Sequence, residues 1–189
     1  MQIHSASFIK GIVGTDALLE DGTPQIAFIG RSNVGKSSTI NALVHQNIAR
    51  TSSFPGRTQE INIFLINQAF YLVDLPGYGF ATASKETRLR LQTLIDWYLF
   101  NSQYEQTKVV LIIDANIGLT NMDLEMLEAL EIHEKMIIIA ANKIDKIKNS
   151  DYKKKLAAIE KAVMGHQVIP YSTKKGFGID QLAEEIIKF

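Results

Sequence analysis

The sequence predicts an α/β fold: a mostly parallel sheet of six strands, one of them antiparallel, with helices packed on both faces. Two observations support this prediction. Short apolar runs bounded by turn residues recur along the chain, and segments with helical periodicity lie between them. The runs are apolar at nearly every position, which is typical of parallel strands buried on both faces.

The apolar runs are short and rich in β-branched residues, so we assign them to strands rather than to core helices. They span 25–30, 61–66, 69–74, 109–114, 136–141 and 167–171. The link between the second and third runs, Asn67 and Gln68, is long enough only for an antiparallel hairpin. Apolar residues at helical spacing predict helices over 84–101 and 151–164.

The chain has 189 residues, of which 46% are hydrophobic, so a single domain with a sizeable core is expected over 1–189. We expect residues 1–24 to form an N-terminal extension that packs on this domain. Basic and acidic side chains number 20 each and cancel. An RNA partner would therefore have to be bound by a local patch or by shape.

The sequence contains no cysteine, which excludes disulfides and thiolate metal sites and fits a reducing cytosol. The first residues do not have the pattern of a signal peptide, and the later apolar runs are far below membrane-spanning length. We therefore expect a cytoplasmic monomer without a membrane partner. The segment 45–60 has no apolar period and is predicted to be a long functional loop.

A phosphate-binding motif follows the first predicted strand. Gly30, Gly35, Lys36 and Ser37 match G-x-x-x-x-G-K-[ST], and a helix is predicted to begin there. Glycines let successive N–H groups point at one phosphate, while Lys36 supplies positive charge to the β and γ phosphates and Ser37 is placed to hold Mg²⁺. The alternative is a polar glycine turn with a helix cap. The predicted nucleotide contacts here are Gly30, Arg31, Ser32, Asn33, Val34, Gly35, Lys36, Ser37 and Ser38.

The segment DLPG, residues 74–77, follows a predicted strand. Asp74 is placed to order the magnesium shell, and Gly77 can offer its N–H to a γ phosphate. The loop before the predicted hairpin of 61–66 and 69–74 adds three more predicted nucleotide contacts, Gly56, Arg57 and Thr58. Thr58 is a candidate for contacts to Mg²⁺ and to γ phosphate that exist only before hydrolysis.

The segment NKID, residues 142–145, identifies the base. The Asp145 carboxylate can accept both the N1–H and the 2-amino protons of guanine, whereas adenine would leave it unpaired. A solvated basic turn is the alternative for this segment. Ser172 and Thr173 follow the last predicted strand and could reach the guanine O6 with backbone N–H groups.

With these motifs in place, the chain resembles the TRAFAC-class GTPases, and more closely the EngB/YihA/YsxC family of ribosome-biogenesis GTP-binding proteins. The segments GRSNVGKSS, SFPGRTQ, INIF, DLPGYGFA and DLEMLE underlie the resemblance, which covers nearly the whole chain. It implies a Ras-like P-loop GTPase fold, GTP and GDP as ligands with Mg²⁺, and a role in late assembly of the large ribosomal subunit, with that subunit or its precursor as partner.

The resemblance also implies roles for individual residues. Residues 33–38 would cradle phosphate and Mg²⁺, Thr58 and Gly77 would head the two switch loops, and Asn142, Lys143 and Asp145 would read the base. The metal contacts would then be Ser37, Thr58 and Asp74, and the residues acting in catalysis Lys36, Thr58 and Gly77. Three segments depart from the family pattern. Asn142 stands where the family usually has Thr, and ANIG at 115–118 replaces an expected Arg-His pair. The last loop is one residue short, which leaves the contact open between Ser172 and Thr173.

Four further questions stay open at this point. A P-loop kinase would share the phosphate motif but would not need Asp145. A binding-only pseudo-GTPase is suggested by Tyr78, which stands where signalling GTPases carry a water-orienting Gln. Asn33 is a candidate ligand for K⁺, or merely tolerates an unusual backbone angle. Six lysines could form an RNA-binding patch or a solvated helix face: Lys143, Lys146, Lys148, Lys153, Lys154 and Lys155.

Overall fold

The structure is a computed structural model that describes residues 3–49, 59–79 and 83–188. Within these ranges a single sheet contains seven strands. They are β1 (Ala6–Ile12), β2 (Gln25–Gly30), β3 (Ile61–Ile66), β4 (Phe70–Asp74), β5 (Gln106–Asp114), β6 (Ile137–Asn142) and β7 (Gln167–Pro170). Their order across the sheet is β1-β3-β4-β2-β5-β6-β7.

Five α-helices occur in the described ranges. They are α1 (Lys36–Val44), α2 (Lys85–Asp96), α3 (Asn121–Ile132), α4 (Tyr152–Ala162) and α5 (Ile179–Ile186). A π-helical turn, Trp97–Asn101, continues α2, so the helix predicted over 84–101 is present in two parts. None of these helices is long and apolar enough to cross a bilayer.

The sheet confirms the predicted fold class and adds one strand. β3 pairs antiparallel with both β1 and β4, and the other pairs are parallel, so β3 is the one strand that runs against the rest. The prediction of six strands was wrong because it missed β1, which lies at the edge of the sheet. Most of β1 is exposed, and Phe8 and Ile9 have 51% and 39% of their surface accessible. Because an exposed edge strand needs no continuous apolar run, its sequence carried little signal.

The predicted hairpin is present between β3 and β4. Asn67 and Gln68 both have positive φ, 51° and 54°, as a two-residue type I′ turn requires. The Asn67 side chain also accepts hydrogen bonds from the backbone N–H groups of His4 (2.7 Å) and Ser5 (3.1 Å). The tip of the hairpin thereby anchors the N-terminal segment beside β3.

Two hydrophobic clusters cover the two faces of the sheet, as buried parallel strands predict. Along β2, Ile26 and Phe28 face one cluster and Ala27 and Ile29 face the other. The first cluster includes residues of α1 and α5, and the second includes residues of α2, α3 and α4. This arrangement leaves the carboxyl ends of the parallel strands free for a site.

The last helix is capped by a lysine from the sheet. The Lys108 ammonium, in β5, donates to the carbonyl oxygens of Glu185 (2.6 Å) and Ile186 (3.4 Å), and to that of Lys188. Only 6% of Lys108 is exposed, and this burial lowers its pKa. These carbonyl groups at the C-terminus of α5 carry the negative end of the helix dipole, which favours a cation there.

We predict that Lys108→Met lowers the free energy of unfolding by about 1–3 kcal/mol, because charged hydrogen bonds to buried carbonyl groups are lost. Chemical denaturation monitored by circular dichroism measures this change. Lys154→Met removes an exposed lysine of α4 and is expected to change stability by less than about 0.5 kcal/mol. Equal effects of the two substitutions would contradict the capping role.

Candidate functional site

The carboxyl ends of four parallel strands meet at one edge of the sheet. Phe28 of β2 pairs with Asp74 of β4, and Asp114 of β5 pairs with Asn142 of β6. Gly30, the last residue of β2, pairs with Ile112 of β5 and so connects these two pairs of strands. The phosphate motif, DLPG and NKID therefore lie side by side, although they are distant in sequence.

The phosphate loop has the backbone geometry that its sequence predicts. Gly35 has φ of 104° and forms the N-cap of α1. A β-carbon at Gly35 would lie 2.4 Å from Asn142 Nδ2, so the loop can approach β6 only with glycine at this position. Asn33 also has a positive φ, 65°. This left-handed conformation already provides a reason for asparagine at position 33, because Asn tolerates it better than most residues.

Lys36 is buried at the start of α1, with 9% of its surface exposed. Its ammonium donates to the carbonyl oxygen of Gly30 at 3.2 Å. Burial lowers the pKa of Lys36, and the nearby Asp74 carboxylate partly offsets this shift. A cation held in this way is attracted to an anionic ligand such as phosphate.

Asp74 lies opposite Lys36, at the end of β4. One carboxylate oxygen, Oδ2, accepts a hydrogen bond from the Ser37 hydroxyl at 2.9 Å. The other, Oδ1, is buried and has no hydrogen-bond partner among the residues that the structure describes. Burial raises the pKa of Asp74, and the opposing effects of Lys36 and Ser37 offset this shift only in part. Asp74 Oδ1 and the Ser37 hydroxyl are hard oxygen ligands beside a phosphate loop, which is a suitable chemical environment for Mg²⁺.

Gly77 lies against the phosphate loop. A β-carbon there would lie 2.8 Å from Lys36 Nζ and 2.9 Å from the backbone nitrogen of Ser32. Any side chain at position 77 would therefore push the segment after β4 away from the loop. This contact brings Gly77 close to Lys36, as its predicted contact with γ phosphate requires.

Arg31 and Ser32 have partners within the protein. The Arg31 guanidinium pairs with Asp123 of α3, with Nε 3.0 Å from Oδ2. The backbone N–H of Ser32 donates to the carbonyl oxygen of Tyr78 at 2.8 Å. The Tyr78 hydroxyl also donates to Asp123, at 2.8 Å. The side chain of Arg31 thus points to α3, and its predicted contact with nucleotide would have to come from its backbone.

Asn142 and Lys143 connect the base motif to the phosphate loop. The Asn142 side chain donates to the carbonyl oxygen of Val34 at 2.9 Å and is 1% exposed. The Lys143 ammonium donates to the carbonyl oxygen of Asn33 (2.7 Å) and to Asp114 Oδ2 (2.8 Å). Both residues therefore stabilise the loop whether or not they contact a base.

Asp145 is oriented by the loop that follows β7. The hydroxyl of Ser172 donates to Asp145 Oδ1 at 2.6 Å. The backbone N–H of Ser172 donates to Phe177, and that of Thr173 donates to Asn142 Oδ1 at 3.3 Å. These amides have partners within the protein, so their predicted contact with the guanine O6 stays a prediction.

A cavity of about 520 Å³ lies between α1 and the loop after β7. Ser38 lines it on the α1 side, and Thr173 and Lys174 line it on the loop side. The cavity therefore adjoins two of the predicted nucleotide contacts, Ser38 of the phosphate motif and Thr173 of the loop after β7. The three remaining predicted contacts, Gly56, Arg57 and Thr58, lie outside the described residues.

Sequence reasoning missed Asp114 and Asp123. Asp114 ends a buried strand at the site edge, which is a signal that could have identified it. Asp123 completes a capping box with Thr120, a local pattern that the sequence also shows. Its pairing with Arg31, however, spans 92 residues and leaves no signal in a single sequence.

A phosphate loop, a DLPG segment and an NKID segment on a mostly parallel sheet define the class of P-loop GTPases. Comparisons with known proteins agree. Residues 25–143 match the family model described as "50S ribosome-binding GTPase", and residues 102–189 match the "Elongation factor Tu GTP binding domain". A "Probable GTP-binding protein EngB" from Caulobacter vibrioides is 43% identical over 96% of this chain and 82% of its own.

Other relatives agree over nearly the full chain. EngB from Desulforamulus reducens is 39% identical over 100% of this chain and 94% of its own. The crystal structure of a probable GTP-binding protein EngB superimposes with a TM-score of 0.74 at 27% identity, covering 87% of this chain and 97% of that one. The chain belongs to the EngB family of GTP-binding proteins.

Membership in this family settles the class of activity. The protein binds GTP or GDP and is a GTPase that hydrolyses GTP. The kinase and the binding-only pseudo-GTPase are therefore excluded as interpretations. The roles of the individual site residues stay predictions.

We predict that Asp145→Asn weakens GTP binding by roughly 2–4 kcal/mol, because an amide places a donor opposite the 2-amino group of guanine. Xanthine nucleotide, which has a carbonyl at that position, should bind more tightly. Titration of purified protein with both nucleotides measures the change. Asp151→Asn, at the start of α4, is the control and should leave both affinities unchanged. Normal GTP affinity in Asp145→Asn would show that the base site is elsewhere.

Proposed function

We propose that this GTPase is a nucleotide-gated switch in assembly of the large ribosomal subunit, binding that subunit or its precursor in the GTP state. The observation that supports this most is the match of residues 25–143 to a family described as a 50S ribosome-binding GTPase. We propose further that it acts as a cytoplasmic monomer of one domain, to whose sheet the N-terminal segment contributes the strand β1.

The proposed gating depends on γ phosphate. Gly77 lies close to Lys36, and Thr58 is the predicted contact from the other switch loop. Both residues can contact γ phosphate only when it is present, so GTP would order both loops together. A surface formed by ordered loops would bind the subunit better than the GDP form does.

The lysines near the base motif divide into two groups. Lys143 is engaged with Asn33 and Asp114, and the Lys155 ammonium is within 3.0 Å of Asn116 Oδ1 and also donates to the Asn116 carbonyl oxygen. These two lysines have structural partners. The exposed lysines are our candidate contacts with rRNA phosphates: Lys146, Lys148, Lys153 and Lys154.

We propose that intrinsic hydrolysis is slow. The Tyr78 hydroxyl donates a hydrogen bond to Asp123. A phenol also cannot reproduce the donor and acceptor pair of the Gln side chain that orients water in signalling GTPases. Catalysis would then depend on charge stabilisation by Lys36 and on what the subunit adds. A contribution of K⁺ held by Asn33 stays a prediction.

We predict that the protein co-sediments with large subunits in the presence of a GTP analogue, and much less in GDP or without nucleotide. Thr58→Ala should abolish the difference between the two nucleotides while leaving GDP affinity intact. Because the formal net charge is zero, bulk RNA should compete poorly, and binding should fall with salt according to the few lysines engaged.

Thr93→Ala, at an exposed position of α2, is the matched control and should behave as the unmodified protein. Small subunits provide the second control. Equal pelleting in both nucleotide states, or pelleting with small subunits alone, would contradict the proposal.

We propose Mg²⁺ as the metal that accompanies the nucleotide. Asp74 Oδ1, which has no hydrogen-bond partner in the described part of the chain, and the Ser37 hydroxyl supply hard oxygen ligands beside the phosphate loop. Thr58 is the third predicted contact. When bound, Mg²⁺ would neutralise charge on the β and γ phosphates. The Asp74 carboxylate would bind it directly or through water only in its ionised form.

We predict that chelating Mg²⁺ with EDTA weakens GTP binding by the unmodified protein and has much less effect on Asp74→Asn. Burial raises the pKa of Asp74, so this carboxylate is protonated more easily in the nucleotide-free fold than in the unfolded chain. The folded protein then binds a proton more readily than the unfolded chain, and ionisation of Asp74 costs stability as pH rises from its unfolded pKa through its folded pKa. The effect of Mg²⁺ should therefore shrink as pH falls.

Nucleotide titrations with and without EDTA at several pH values measure this effect. Asp96→Asn, at the end of α2, is a control carboxylate that should retain the full response to Mg²⁺. An EDTA response in Asp74→Asn as large as in the unmodified protein would contradict the assignment.

A further inference from the structure

The carboxylate of Asp123 joins three segments around the site. Asp123 lies in the first turn of α3 and is fully buried. Its Oδ2 accepts hydrogen bonds from the Thr120 N–H (2.9 Å) and the Thr120 hydroxyl (2.8 Å). Its Oδ1 accepts from the Tyr78 hydroxyl (2.8 Å), and Arg31 Nε is 3.0–3.1 Å from both oxygens. A buried charge is tolerated only when it is paired and hydrogen-bonded in this way.

The two partners of Oδ1 belong to segments that move or bind in P-loop GTPases. Arg31 is in the phosphate loop, and Tyr78 follows Gly77 in the segment after β4. The backbones of these segments also join: Ser32 donates to the Tyr78 carbonyl oxygen at 2.8 Å, and Tyr78 donates to that of Gly30 at 3.3 Å. Arg31 and Tyr78 form an isolated parallel bridge.

We infer that Asp123 is a positioning residue for GTP hydrolysis: by binding both Arg31 and Tyr78, it fixes the Gly77 N–H relative to the phosphate loop. The inference rests on the proposed contact between Gly77 and γ phosphate. GDP has no γ phosphate, so the network acts on binding and hydrolysis of GTP and leaves GDP affinity unchanged. Asp123 itself contacts neither nucleotide nor water in this role.

The Tyr78 hydroxyl is suited to donate a hydrogen bond to Asp123 at all times. Its side chain is 6% exposed, and burial together with the Asp123 carboxylate raises the pKa of the phenol. The hydroxyl therefore stays protonated and donates to Asp123 at any working pH. The residue at the water-orienting position of other GTPases is used here to anchor its own segment.

Asp123 could also serve only to cap α3 through its capping box with Thr120. The box uses only the Oδ2 oxygen of the carboxylate. Thr120 binds Oδ2, whereas Tyr78 binds Oδ1. The two roles can therefore be separated by substitution. Tyr78→Phe removes the hydrogen bond to Oδ1, and Thr120→Ala removes the side-chain half of the box.

The experiment measures affinities for a GTP analogue and GDP, the single-turnover rate of GTP hydrolysis, and the melting temperature. In Tyr78→Phe we expect affinity for the GTP analogue and the hydrolysis rate each to fall by about tenfold, as loss of a hydrogen bond to a charged group allows, with GDP affinity unchanged. Asp123→Asn should have the same effects, and the double substitution should add little to either one.

Tyr71→Phe is the matched control. Tyr71 in β4 is 4% exposed, and its hydroxyl donates to Asp21 Oδ2 at 2.8 Å, so the same type of bond is lost away from the site. Tyr71→Phe and Thr120→Ala should lower the melting temperature without changing the preference for GTP over GDP. The same result in Tyr78→Phe would overturn the inference.

Gly77→Ala tests the proposed contact between Gly77 and γ phosphate separately from the positioning role of Asp123. An alanine side chain would meet Lys36 and Ser32, so GTP affinity should fall much more than GDP affinity. An unchanged preference in Gly77→Ala would disprove the γ-phosphate contact of Gly77. A lost preference in Gly77→Ala but not in Tyr78→Phe would disprove the positioning role of Asp123 alone.

Discussion

The parallel pairing of β2 with β4 on one side and with β5 on the other determines where every functional segment lies. Phe28 pairs with Asp74, and Gly30 pairs with Ile112. Because parallel strands end at the same edge, this register places the phosphate loop between the DLPG segment and the end of β5. A shift of one residue would turn the buried side chains of β2 to the opposite face. The same hydrophobic packing that stabilises the sheet therefore also aligns the site.

The alignment gathers charged groups that the protein alone neutralises only in part. Burial lowers the pKa of Lys36 and raises that of Asp74, so each charge is held at some cost in stability. Phosphate would offer a counter-charge to Lys36, and a cation would do so for Asp74. Ligands that bind the folded state alone also stabilise it. Nucleotide binding and stability should thus be closely linked in this protein.

Most of the candidate site was predictable from the sequence because its parts are local. The phosphate loop and Asp145 each follow a recognisable strand, and Asp74 ends another. The turn between β3 and β4 needed only two residues of the right type. The partners that fix these parts were not predictable. Arg31 pairs with Asp123 across 92 residues, and Ser172 orients Asp145 across 27. Such contacts depend on how helices and loops pack, which a single sequence does not reveal.

The strand β1 has a mechanical consequence for switching. It pairs with β3 from Ala6 opposite Ile66 to Ile12 opposite Ile61, with one register shift between Phe8 and Lys10, and the turn at Asn67 fastens its beginning. The hairpin of β3 and β4 is thus clamped between β1 and β2. To keep its apolar side chains buried, the hairpin would have to slide by two residues at a time. Such a shift would break its hydrogen bonds to β1 and to β2. The hairpin is a fixed frame, so in the switch that we propose a change of nucleotide would be transmitted by the loops at its open end.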